Sequence, residues 1–400
     1  MTHERERAIP RRTWLASAGA LALSAACSSQ RTGTSGAVRP VPPPTNDDTP
    51  RLMRLGSVPG LSVAVIDRGG VSAHGYSVRS AEAGGSVDGD TIFEAASLSK
   101  TIFAYCVMQL VAAGKLELDR PLGSYVPLPN PDDERARAIT IRHALSHSSG
   151  WPNWRTQREP KLVSAFTPGS RFSYSGEGYY FVQRVVETIT GHGIARVMRD
   201  QVLEPLGMRN SSYLWRPDMD ERLTIPHSGT GELMTSNSVR FGRAVHELAA
   251  KEGRASEDFT GPEMEEAYRR IRSVPAEQPV LPVNLAPNVA FSLLTTAHDY
   301  GAFVHHLLFE DRATLARMTV PQIEVNEAIR WGLGLGLETN DGRPTFWHWG
   351  DNPGYKNFVV GDSGEGTAIV VFTNANSGQA VYERVIRAET GRDRAAFLWI

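Results

Sequence analysis

The first apolar feature of the chain is an unbroken run. From Trp14 to Ala26 every residue is apolar or small, 13 residues in all. That is too short for the ~20-residue helix that crosses a ~30 Å hydrocarbon core, and it has the length of a secretory apolar region. Further on, Leu61–Asp67 reads as a strand, Arg68-Gly69-Gly70 turns the chain, and Val71–Tyr76 returns as its hairpin partner. From Ser97 the apolar period lengthens to that of a helix. Ile102, Phe103, Cys106, Val107, Leu110 and Val111 share a face, and Gly114 stops it. Residues 120–290 read as helices and loops, with Gly178–Thr190 the clearest helix. The stretch 216–290 is rich in charge and proline and predicts no definite element. Thr296–Leu308 predicts another helix, with Thr296 as its N-cap. Strands then return at Trp331–Glu338, Pro344–Trp349, Asn357–Val360 and Thr367–Thr373, before a final helix over Gly378–Glu389.

Strands at both ends and helices between predict an α+β fold. One mostly antiparallel sheet, built from residues 51–120 and 290–400, carries flanking helices, and a mainly helical domain over 121–289 is inserted. Composition fits: 41% hydrophobic and 22% charged residues exclude wholesale disorder. A formal net charge of −2 gives no basic footprint, so nucleic acid is not expected as a partner. Two cysteines, Cys27 and Cys106, exclude a disulfide framework and a four-cysteine metal site. Cys106 lies on the apolar helix face and reads as a small buried hydrophobe.

The N-terminus predicts export. Arg11-Arg12-Thr13-Trp14-Leu15 resembles a twin-arginine signal. Leu23-Ser24-Ala25-Ala26-Cys27 resembles a bacterial lipobox, with Ser24 where Leu is usual. Residues 1–26 are then a signal peptide, Cys27 the lipidated residue, and 27–50, with its five prolines, a flexible tether. The expected location is the periplasm or cell envelope, with the bacterial membrane as partner through Cys27. Plain cleaved export and an uncleaved anchor remain the alternatives.

Three constellations carry candidate chemistry. In Ser97-Leu98-Ser99-Lys100, residues three apart share a helix face, so the lysine can reach the serine hydroxyl. A serine needs a neighbouring base, and burial can lower a lysine pKa enough for that role. The helix N-terminus adds free N–H groups for an oxyanion. The second constellation is Tyr174, on the turn-rich stretch Pro168–Gly176. Beside a lysine ammonium its phenolate would be stabilised, making it a base and later an acid. The third is His348-Trp349-Gly350-Asp351, where a strand with a glycine lets another backbone approach and can bind a substrate by strand addition. Alone, each has a plain structural reading: a capping serine with a solvated lysine, a packed tyrosine, a turn-opening glycine.

In this order and spacing, Ser97-x-x-Lys100, Tyr174-Ser175-Gly176 and His348-x-Gly350 resemble the serine β-lactamase and penicillin-recognising superfamily. The match is to its class C-like branch, with D-alanyl carboxypeptidases, D-aminopeptidases and esterases. Leu145–Gly150 resembles that branch's H-x-S-G stretch, and Phe372–Ala375 its last strand. The resemblance runs from about residue 55 to 390 and implies a β-lactamase/transpeptidase-like fold. It implies Ser97 as the acylated nucleophile, Lys100 as an aid to its deprotonation, and Tyr174 as partner base and leaving-group acid. The oxyanion would sit on the backbone N–H groups of Ser97 and Asp351. Two departures stand out: Gly176 occupies the family's usual Asn position, and His348 replaces a lysine. Both weaken β-lactam recognition, and a neutral histidine favours esters or uncharged amides.

Other motifs predict less. Gly361-Asp362-Ser363-Gly364 reads as a turn, His143 and His147 as structural, Gly332–Gly336 as a tightly packed strand, and His305-His306 as a helix-end pair. No metal or organic cofactor is called for. The leading expectation is an exported serine hydrolase acting on an ester, amide or lactam carbonyl of a small-molecule or peptide-like substrate. Its rivals are a penicillin-binding or sensor module that acylates with little turnover, and a structural envelope lipoprotein.

Overall fold

A computed structural model describes residues 48–340 and 342–400. The leader, Cys27 and nearly all of the expected tether lie outside them. Strands occur at β1 (Gly60–Asp67), β2 (Gly70–Ser80), β3 (Gly84–Ser86), β4 (Phe93–Glu94), β5 (Leu294–Thr295), β6 (Ile323–Glu324), β7 (Ile329–Trp331), β8 (Gly336–Asn340), β9 (Arg343–Asn352), β10 (Tyr355–Asp362) and β11 (Thr367–Thr373). Helices are α1 (Thr49–Leu55), α2 (Ser99–Ala112), α3 (Ile141–Leu145), α4 (Gly176–Thr190), α5 (Ile194–Met198), α6 (Asn237–Glu252), α7 (Gly261–Arg272), α8 (Ala297–His305), α9 (Arg312–Met318), α10 (Gly378–Thr390) and α11 (Ala396–Trp399).

Nine strands form one antiparallel sheet in the order β3-β2-β1-β11-β10-β9-β8-β7-β6. The two chain ends meet at its centre, where Leu61 pairs with Thr373 and Ile66 with Ala368. Both strands are buried on both faces, as their valine- and isoleucine-rich sequences demand. On one face lie α2 and α8; α1, α10 and α11 cover the other with Met53, Val381, Tyr382, Ile386 and Ala396. All strands of the sheet fall before residue 120 or after residue 290.

Helix α2 is central. Ser99 to Met108 and Leu110 are all buried, so the helix is packed all round rather than on the single face expected. Each fully buried Ile, Phe, Val or Leu side chain contributes about 1.5–3 kcal/mol. Cys106 is a buried free thiol whose burial pushes it up to about 12, which keeps it unreactive.

Three expectations need correction. The single strand expected over Trp331–Glu338 is a hairpin: β7 pairs with β8, Trp331 lies opposite Gly336, and Gly332–Leu335 makes the turn. Gly–Leu alternation imitates a strand period, but the glycines supply the bend. Gly334 has φ +81, and a Cβ on Gly332 would lie 2.1 Å from the Met318 carbonyl oxygen. Second, 216–290 holds two ordinary helices. Ser236 accepts from the Val239 N–H at 3.0 Å to start α6, and Thr260 with Glu263 forms a capping box on α7. Third, the helix expected to run to Leu308 ends at His305 and continues as a wider turn over His306–Glu310, where His306 bonds Tyr105 at 3.0 Å and Glu310 at 3.0 Å. Its Thr296 cap is present, accepting from Asp299 N–H at 3.0 Å. The Asp362 turn also forms, with Asp362 Oδ1 accepting from the Gly364 and Glu365 N–H groups at 2.9 Å.

Candidate active site

The short pair β4–β5 places the first constellation. Phe93 pairs with Thr295 and Glu94 with Leu294, and the Ala95 N–H donates to the Leu293 carbonyl at 2.8 Å. This fastens residues 290–295 beside the 3₁₀ turn Ala96–Leu98 that carries Ser97 and leads into α2. Ser99 tightens the turn: its hydroxyl donates to the Ala96 carbonyl and accepts from the Leu293 N–H at 3.0 Å. Ala96 is held at φ +51, a conformation rare for a residue with a side chain. Backbone strain is thus stored one residue before Ser97.

Lys100 Nζ lies 2.9 Å from Ser97 Oγ in a hydrogen bond, and it donates to the Ala290 carbonyl at 2.6 Å. The side chain is fully buried, stands over the Tyr174 ring at 4.8 Å, and burial pushes its pKa well below the ordinary lysine value. A neutral amine with one N–H committed to Ala290 has its lone pair free for the Ser97 proton.

Tyr174 comes from the loop before α4, whose start is fixed by Ser175 Oγ accepting from the Gly178 N–H at 3.0 Å. Its hydroxyl is buried and makes no well-aligned hydrogen bond at rest, yet Ser97 is close enough to favour its ionised form. Such contacts are commonly loose before substrate binds. The phenolate expectation is corrected here. Burial pushes the phenol up and outweighs Ser97, and Lys100, itself favoured neutral, supplies no stabilising charge.

The third constellation lies on β9. Strand β8 begins opposite Trp347, so His348–Asn352 is open on that side. The Ser97 turn closes against it: a Cβ on Gly350 would lie 2.4 Å from the Ala95 carbonyl oxygen, so only glycine fits. The buried His348 ring donates from Nδ1 to the Trp349 carbonyl at 2.7 Å, leaving Nε2 as a lone pair without a partner. Burial lowers His348 to about 3, so the ring is neutral. The Asp351 carboxylate turns to an ion pair with Lys356 across the β9–β10 ladder. Gly176 is buried at the start of α4, with the Trp154 ring against its Cα. Ser97, Lys100, Tyr174, His348 and Gly350 are therefore brought together, and Gly176 lies two residues from Tyr174. Among the described residues, no cluster of three or more His, Cys, Asp or Glu could hold a metal.

The profile of the family described as Beta-lactamase matches residues 47–392. The chain belongs to the Beta-lactamase family. Penicillin-binding protein 4 of Amycolatopsis lactamdurans is 26% identical over 352 residues, covering 84% of this chain and 85% of that protein. Esterase EstB of Burkholderia gladioli is 32% identical over 181 residues, covering 38% of this chain and 45% of the esterase, less than half its length. A solved class C beta-lactamase superposes with a TM-score of 0.68 at 17% identity, covering 87% of this chain and 95% of that one, which shows a shared fold. This Beta-lactamase-family protein is a serine hydrolase.

Sequence reasoning gave His147 a structural role and missed how close that role is to the chemistry. His147 lies beyond the end of α3, at φ +54, so it shares no helix face with His143. Its Nδ1 accepts from the Ser175 N–H at 3.0 Å, its carbonyl accepts from the Ser173 N–H at 2.7 Å, and its ring packs on Tyr174 with centroids 4.0 Å apart. It clamps the loop on both sides of the phenol. The sequence signal was Leu145–Gly150 itself, a polar stretch with no visible chemistry. In this family member, His147→Ala is expected to cut kcat by about 10²-fold through misplacement of Tyr174. His147→Asn, which keeps an acceptor near Nδ1 and tolerates the left-handed backbone, is expected to recover most of it. Equal losses in the two variants would show that the clamp does not matter.

Proposed function

We propose that this protein is an exported serine hydrolase that cleaves ester or uncharged amide carbonyls through an acyl-enzyme on Ser97. The observation that carries it is the fully buried Lys100, with Nζ 2.9 Å from Ser97 Oγ. Lys100 takes the Ser97 proton as Oγ forms its bond to the substrate carbonyl carbon. The resulting oxyanion sits on the Ser97 and Asp351 N–H groups. As the carbonyl reforms, the bond to the leaving group breaks, and Tyr174 gives that group its proton while Lys100 returns one to Tyr174. Water then adds to the acyl carbon by the same route in reverse and frees Ser97. A neutral His348 on β9 and a Lys356 on β10 that is already paired with Asp351 offer a substrate carboxylate no unpaired positive charge, which favours uncharged substrates. The twin-arginine pattern and Cys27 support export and a lipid anchor in the cell envelope.

Intact-mass analysis after treatment with a fluorophosphonate, alongside steady-state ester hydrolysis, tests this. The expected result is one adduct, on Ser97, with turnover. Labelling without turnover would make it an acylating module, and no labelling would remove the reading altogether. Anchoring is read separately, as lipid mass on Cys27 in membrane-extracted protein. The pH profile is a further expectation. Lys100 must be neutral to accept the proton and is neutral above its folded pKa, which burial sets well below 10.5. Acylation therefore rises with pH through an inflection below the ordinary lysine range and is already developed before pH 10. Stopped-flow acylation rates that rise only near pH 10.5 would refute the role of Lys100.

A further inference from the structure

Glu94 is a buried acid that the steps above do not use. It lies on β4, three residues before Ser97, and is 3% exposed. It meets the β9–β10 hairpin at two points. Its backbone carbonyl accepts from Asn357 Nδ2 at 2.8 Å, and its Oε2 accepts from Asn352 Nδ2 at 2.9 Å. Asn357 stands opposite Gly350 in the ladder, so the two contacts fall on either side of Asp351. Asn357 is itself fixed, because its Oδ1 accepts from the Thr373 N–H of β11 at 3.2 Å. One residue thus ties the turn that carries the Ser97 N–H to the strand that carries the Asp351 N–H. Glu94 Oε1, by contrast, is buried with no well-aligned hydrogen-bond partner. Burial also raises the pKa of the carboxyl, against the pull of Ser236 and Asn352. A buried acid with an unpaired oxygen weakens a fold relative to an apolar side chain of the same size. Stability alone therefore gives no reason for a carboxyl here, whereas the placement of two N–H groups does.

We propose that Glu94, acting through Asn352, sets the separation of the Ser97 and Asp351 N–H groups and is a positioning residue for the oxyanion. This rests on the serine-hydrolase reading above and deepens it. Such donors work only at about 2.7–3.1 Å from the developing charge, so a small parting of turn and strand is felt in the rate. Acylation and deacylation both pass through an oxyanion, so both depend on the brace. The ground-state carbonyl carries little charge, so substrate binding depends on it less.

The test separates rate from stability. Glu94→Met keeps the length of the side chain and removes the bond to Asn352. With p-nitrophenyl acetate, kcat per fluorophosphonate-titrated site is expected to fall about 10²-fold while KM stays within about 3-fold. The thermal midpoint is expected to equal or exceed that of the unaltered protein. Glu94→Gln, which keeps an oxygen for Asn352, is expected to recover most of the rate. Asn352→Ala breaks the same bond from a partly exposed position, so it carries the test even if Glu94→Met does not fold. It is expected to lose a similar factor, with no further loss in the double variant. Near-normal kcat in Asn352→Ala, losses that multiply in the double variant, a Gln variant as slow as the Met variant, or a deficit that vanishes once active sites are counted would each overturn the proposal. Those results leave fluorophosphonate labelling of Ser97 in the unaltered protein intact. Absence of that labelling instead sinks the hydrolase reading, so the two failures are distinct.

Discussion

Ser97→Ala is expected to lower kcat/KM for every ester by on the order of 10⁴-fold or more, the scale on which loss of a nucleophile acts. The protein should stay folded. Ser97 Oγ bonds Lys100, and without it the amine keeps the Ala290 carbonyl at 2.6 Å. The turn itself is held by Ser99 and by the β4–β5 pair, neither of which uses the Ser97 hydroxyl. Circular dichroism and the thermal midpoint should therefore match the unaltered protein while turnover and the fluorophosphonate adduct vanish together. Retention of even one-tenth of the ester turnover would remove Ser97 from the chemistry.

Gly350→Ala is the second large effect, and it acts through shape alone. The added methyl would lie 2.4 Å from the Ala95 carbonyl oxygen and 3.0 Å from Asn357 Nδ2. Neither can retreat easily. The Ala95 N–H is bonded to Leu293, and Asn357 Nδ2 donates to the Glu94 carbonyl at 2.8 Å. Strand β9 and the Ser97 turn must then part. A displacement near 1 Å between an attacking group and the groups that stabilise its transition state costs about 10²-fold in rate. Overpacking of this kind also costs about 1–3 kcal/mol of stability. The expected result is kcat/KM down at least 10²-fold, with a lower urea midpoint. An alanine variant of near-normal activity would show that this strand does not border the reacting carbonyl.

The residues that meet at the site were readable where one rule decides them. Ser97 and Lys100 meet because three positions make most of a helical turn, although the turn between them is 3₁₀ before it is α. Thr296 was legible as a cap, and the central strands were legible because Val and Ile crowd them. What escaped depends on backbone contacts between distant segments. Gly332 and Gly334 form a turn against Met318 and Leu145, and no local period announces that. Helix α6 hides because small Gly242 and Ala249 stand among its buried positions, and Gly242 packs against Trp215. Tyr174 stands beside Lys100, but its proton affinity escaped the sequence, because the burial that lowers Lys100 also raises the phenol.

The pairing of β1 with β11 has a consequence for biosynthesis. Ser97 emerges from the ribosome early, and Gly350 follows about 250 residues later. At about 5–20 residues per second that is a delay of roughly 13–50 s. Throughout it Lys100 has no Ala290 to face, the Ser97 turn has no β9 to lean on, and β1 has no β11 beside it. A nascent chain therefore carries its serine as an ordinary, unreactive alcohol, and hydrolytic power appears in one late step when the sheet closes.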